Sequence, residues 1–144
     1  MGPITRGWPN SLTPDPRLPI PDLVSDSTTT LAELRDLVRR FVAERDWEQF
    51  HAPKNLSMSL AIEAAELMEH FQWIDMAESR RASDDPAKLA AIREEIADVL
   101  CYAIALANEL KLDLSDAVRD KMVKNAVKYP ADKSRARFDP PGDA

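Results

Sequence analysis

Two pairs of acids stand at helical spacing inside stretches that otherwise read as apolar helix. In "SLAIEAAELMEHFQW", residues 59–73, Glu63 and Glu66 are three apart, and in "IREEIADVLCYAIAL", residues 92–106, so are Glu95 and Asp98. Residues three apart share a helix face. Ser59, Glu63, Glu66, His70 and Trp73 therefore form one stripe, flanked by Ile62, Leu67 and Phe71, while Ala91, Glu95, Asp98 and Tyr102 form another, flanked by Ile92, Ile96, Val99 and Leu100. Carboxylates a few ångströms apart raise one another's pKa, and desolvation adds to the cost. Basic side chains or a divalent cation can compensate. Arg93, Lys121 and Lys124 are candidate bases, yet no arginine or lysine lies among the apolar residues beside either pair. Oxygen-only donors at this density suit a hard cation, Mg²⁺ or as a substitute Mn²⁺.

Other uses of these acids compete with that one. Paired acids are common on the solvated faces of amphipathic helices, where charge needs no special reason. A di-iron carboxylate centre in a helical bundle calls for a Glu-x-x-His pair on two helices. Here His70 follows Glu66 by four residues, Leu67 stands three before it, and the second acid-bearing stretch has no histidine. The di-iron reading is the weak one; the solvated face stays open beside the cation.

A second constellation is aromatic. Trp47, Phe50 and His51 precede the first acid-bearing helix, Trp73 closes it, and Tyr102 stands one turn beyond Asp98. Flat apolar faces beside cation-held phosphates are what a nucleobase needs, because any base can stack on a ring. Alternatively the tryptophans fill the ends of a bundle.

The elements that must position these groups are helices. The first starts at Thr30, with Glu33 completing a possible capping box, and carries Leu31, Leu34, Leu37, Val38, Phe41 and Val42 on one stripe to about Arg45. "DWEQFHAPKN" reads as a loop closed by Pro53, the second helix as about Leu56 to Gln72, and "DMAESRRASDDP" as a polar connection. Asp85 as N-cap and Pro86 at the first helical position open a third helix to about Leu110; Asp113 caps a fourth that stops at Pro130. Four helices on short loops suggest an antiparallel all-α bundle, with a crossover topology left open.

Flanking segments differ in kind. Six of the eleven prolines lie within residues 1–27, which read as a disordered or extended arm, and residues 131–144 read as a tail, leaving 28–130 as the domain. With 144 residues, 44% of them hydrophobic, the chain supports one modest core, and three glycines favour helix over sheet. A net charge of −6 argues against a broad grip on a nucleic acid polymer but not against one nucleotide held through a cation. One cysteine rules out an internal disulfide framework, and two histidines make zinc improbable. No apolar run nears the roughly 20 residues of a membrane span and no signal-peptide pattern opens the chain, so a cytoplasmic protein without membrane contact is expected.

"ERDWEQFHAPKNL", Glu63-x-x-Glu66, "FQW", Glu95-x-x-Asp98 and "KMVKNAVKYP" together resemble the MazG-like all-helical nucleoside triphosphate pyrophosphohydrolases, closest to the dCTP-hydrolysing branch, over about residues 30–135. The resemblance implies Mg²⁺-dependent hydrolysis of a nucleoside triphosphate to the monophosphate and pyrophosphate, and a homo-oligomer, dimer or tetramer. It implies that Glu63, Glu66, Glu95 and Asp98 hold the metal and that Glu63 or Glu66 acts as base. It further implies that the base packs at Trp47 and Trp73 with Phe50, His51 and Tyr102 nearby. Lys121, Asn125, Tyr129 and, more weakly, Lys54 would meet sugar and phosphates. Val38 departs from the pattern, since close dCTP-hydrolysing relatives carry a histidine there. dCTP is the best single substrate, with another dNTP such as a purine, or a non-catalytic nucleotide-binding protein, as alternatives.

Overall fold

The computed structural model describes residues 25–135; the proline-rich arm, apart from its last three residues, and residues 136–144 lie outside them. The described chain is helical with no strand: α1 (Leu31–Ala43), a 3₁₀ turn (Trp47–Phe50), α2 (Pro53–Glu69), α3 (Met76–Ser79), a second 3₁₀ turn (Ala82–Asp84), α4 (Pro86–Glu109), α5 (Leu114–Lys128) and α6 (Ala131–Ser134). The all-α expectation holds. The chain divides into two compact units after Leu110.

Local chemistry sets the helix starts. Thr30 and Glu33 form the expected capping box: the Thr30 side chain accepts from the Glu33 N–H at 3.2 Å, and the Thr30 N–H donates to the Glu33 carboxylate at 2.6 Å. Those bonds hold the Glu33 carboxyl below its usual range. Asp85 accepts from the N–H groups of Ala87 and Lys88, with Pro86 following it, and Asp113 accepts from Asp116 N–H. Asp75 caps α3 in the same way at 2.7 Å. The last turns of α1 and α4 give way to Asp46 (φ 51°) and Lys111 (φ 55°), left-handed residues where glycine is usual.

Pro53 corrects one sequence expectation. It does not close a loop but opens α2 at the first helical position, where a missing N–H costs nothing, so α2 starts at Pro53 and ends at Glu69. The preceding loop contains the Trp47–Phe50 turn, tied to α2 by the Asn55 side chain, which donates to the Phe50 carbonyl at 3.1 Å. The polar connection also contains structure of its own, in α3 and the second 3₁₀ turn.

In the first unit α2 packs against α4 along most of its length, and α1 packs on α4. Val42, Leu56, Ile92, Ile104, Ala105 and Ala107 are its buried apolar residues. One polar clamp joins α1 to α4: Arg35 Nε donates to Asn108 Oδ1 at 2.8 Å, and Asn108 Nδ2 returns a bond to the Arg35 carbonyl at 3.1 Å. The second unit holds α5 and α6. Among the described residues no helix is long and apolar enough to cross a membrane.

Candidate active site

The two acid stripes meet where α2 crosses α4. Carboxylate oxygens of Glu63, Glu66 and Glu95 lie within 4.8 Å of one another. Asp98, one turn beyond Glu95, adds its field, which with those of Glu66 and Glu95 raises the Glu63 pKa. Their exposures differ. Glu63 is 3% exposed, the one buried charged side chain among the described residues, while Glu95 and Asp98 are half-buried and Glu66 faces solvent.

Electrostatics follows from that placement. Burial first, then Asp98, Glu66 and Glu95, push the Glu63 carboxyl from its ordinary 4.5 up to about 7. Burial and neighbouring acids also raise Glu95, against a partial offset from His70, and raise Asp98. The Cys101 thiol, on the same helix, is pushed up by burial and by Asp98, which removes thiolate chemistry. Among the described residues no arginine or lysine forms an ion pair with any of the four acids. A compact set of carboxylate oxygens with unrelieved negative charge is the donor set a hard cation fits. Opposite ligands around Mg²⁺ stand about 4 Å apart, close to the spread seen here.

The aromatic residues divide. Trp47 is half-buried, its ring edge-on to Phe41 at 5.9 Å between centroids and 76° between planes, and the Arg45 guanidinium caps the other partner, 3.6 Å from the Phe41 centroid. Trp73 does not fill a bundle end: it lies in the turn after α2, 87% exposed. Phe50 is exposed, Lys54 is exposed, and Tyr102 is half-buried on the Asp98 stripe. Val38 and His51 face a common cavity of about 180 Å³. Lys121, Asn125 and Tyr129 belong to the second unit, where Asn125 is half-buried, its carbonyl accepts the Tyr129 N–H at 2.8 Å, and the Lys128 ammonium stands 5.4 Å from the Tyr129 ring.

Sequence reading passed over the polar lining of that cavity, which includes Glu48 and Glu109. Asn108, a polar residue in the apolar run "AIALAN", was a visible signal; its partner lies 73 residues away and was not.

The MazG-like family pattern matches residues 58–137, and the chain belongs to that family. It is 47% identical over 106 residues to dCTP pyrophosphatase 1 of Rattus norvegicus, covering 74% of this chain and 62% of that protein. It is 46% identical over 107 residues to dCTP pyrophosphatase 1 of Homo sapiens, covering 74% and 63%. The chain thus spans less than two thirds of the length of the curated relatives it matches. Among solved structures, a pyrophosphatase from Archaeoglobus fulgidus superposes with a TM-score of 0.66 at 38% identity, covering 75% of this chain and 99% of that one.

Proposed function

We propose that the chain hydrolyses a deoxynucleoside triphosphate to the monophosphate and pyrophosphate with Mg²⁺, and that dCTP is its substrate. The observation that carries this is the buried Glu63 among three further acids with no basic ion-pair partner, in a chain similar to proteins named dCTP pyrophosphatase. Glu63, Glu66, Glu95 and Asp98 would hold the cation. When bound there, Mg²⁺ offsets the charge of non-bridging phosphate oxygens and makes water a better nucleophile near neutral pH.

The chain's own residues do the rest. Glu63, walled in by α4, fixes the inner edge of the donor set. Glu66 is the acid open to solvent, and it takes the proton of the attacking water as the α–β anhydride breaks and pyrophosphate leaves. Trp47, steadied by Phe41, offers a stacking face for the base, with Tyr102 on the way from the acids and His51 beside Val38, while Trp73, past the far end of the 17-residue α2, would stack on it from a neighbouring protomer of the oligomer. Phe50 and Lys54, exposed around the start of α2, are further substrate contacts in this reading. Positioning and charge neutralisation supply most of the rate in phosphoryl chemistry, which a rigid helical frame suits. The active assembly is a homo-oligomer.

Pyrophosphate release from each of the eight common NTPs and dNTPs with Mg²⁺, beside Glu63→Ala, is the test. Release strongest from dCTP and absent in Glu63→Ala is expected. Nucleotide-induced thermal stabilisation without pyrophosphate from any substrate would make this a binding protein instead.

A further inference from the structure

The cavity beside Val38 bears on which base the site accepts. Its lining is apolar at Val38 and Val42 of α1 and Ala105 of α4, and polar at Glu48, His51 and Glu109, the two glutamates also reaching solvent. Asn108 and Arg39 complete the lining, but both are already engaged. Asn108 spends its amide on the clamp with Arg35, and the Arg39 guanidinium is paired with Asp36. Among the described residues neither Glu48 nor Glu109 is in an ion pair. The unspent groups of the cavity are therefore mostly acceptors: two carboxylates and one imidazole. Burial draws the His51 imidazole below its usual range despite the opposing pull of Glu109 and Glu48, so it is neutral at pH 7 and offers one N–H and one lone pair.

Placement matches the length of a nucleoside. Glu66 meets Glu95, and His51, just ahead of α2, feels Glu109, so α2 and α4 run antiparallel. From Asp98 to Ala105 is seven residues, a rise of about 10 Å along α4, with Tyr102 between. A nucleotide whose triphosphate sits at the acids and whose sugar follows α4 toward Tyr102 brings its base to the cavity.

We propose that this cavity reads the amino edge of a pyrimidine, the carboxylates of Glu48 and Glu109 accepting the N–H bonds of the 4-amino group while Val38 supplies only an apolar wall. A 4-oxo base would turn its own lone pairs toward these carboxylates, leaving only its N3–H to donate to one of them, against the two N–H bonds of a 4-amino group. The inference rests on the nucleotide reading above and deepens it: selectivity lies with Glu48 and Glu109 rather than at position 38.

dCTP and dUTP differ at position 4 and in the proton that uracil carries on N3, and they are the probes. kcat/KM is measured for both with the wild type, Glu48→Leu, Glu109→Leu and the double variant, with thermal melts to verify folding. A wild-type preference for dCTP that falls at least about tenfold in the double variant is the expected result. A preference that survives both substitutions, or a wild type that favours dUTP, overturns the proposal. Calorimetric binding of dCMP and dUMP separates it from the hydrolysis reading. If the wild type turns over no triphosphate, dCMP-selective binding lost in the double variant still upholds the cavity's role, and equal binding refutes it.

Discussion

Glu63 concentrates the conflict in this molecule, and the conflict can be measured. Its carboxyl holds a proton up to about pH 7 in the folded chain but only to about 4.5 when unfolded. The folded state therefore binds more protons across that window, and stability falls as pH rises through it. At roughly 1.4 kcal/mol for each tenfold change in proton affinity, the contribution is on the order of 3 kcal/mol. Thermal melts of the metal-free protein from pH 5 to 8 should show this decline, and Glu63→Gln should flatten much of it and melt higher than the wild type at pH 8. A variant as pH-sensitive as the wild type would contradict the assignment. Mg²⁺ should raise the wild-type midpoint at pH 8, because a ligand of the folded state stabilises it, and should raise Glu63→Gln far less. The same variant should lose at least about a hundredfold in turnover. The acids themselves were legible because helical spacing alone places them on one face. Their unequal burial was not, since it depends on how α2 and α4 cross.

Among the elements, starts were readable and interiors of loops were not. Thr30, Asp85 and Asp113 cap by bonds to residues two or three positions on, so sequence contains the whole arrangement. Pro53 satisfies a loop and a first helical turn equally well, and only the Leu56 N–H bonding back to the Ala52 carbonyl at 3.0 Å decides for the turn. The Arg35–Asn108 clamp was invisible because it joins distant parts of the chain. Asp85→Ala should cost about 1 kcal/mol of stability through the lost cap. Because α4 also carries Glu95 and Asp98, its effect on kcat at 25 °C tests whether fraying reaches the site, twelve residues and thus about 18 Å down the helix axis from Pro86 to Asp98. Unchanged kcat with a lowered melting temperature is expected.

Whole-molecule behaviour is governed by what the chain leaves uncovered. Ile62, Ile96 and Leu100 beside the acid stripes are each about half exposed, and α5 exposes Val118, Met122, Val123 and Val127 more fully. Within one chain these three flanking residues are thus not buried. Large exposed side chains at helical spacing on several elements are costly for a monomer. Light scattering on the purified protein should return a multiple of the 16.2 kDa chain mass; a monomer would remove the oligomeric part of the functional reading. A raised pKa at the cation site also couples the molecule to its solvent. At pH 7 the Glu63 carboxyl is about half protonated, and a cation that needs the carboxylate must displace that proton. Loading the protein then acidifies the medium by about half a proton per site from this group alone. The measured heat of Mg²⁺ binding at pH 7 will accordingly change with the ionisation enthalpy of the buffer, and at pH 9 that dependence on the buffer will disappear.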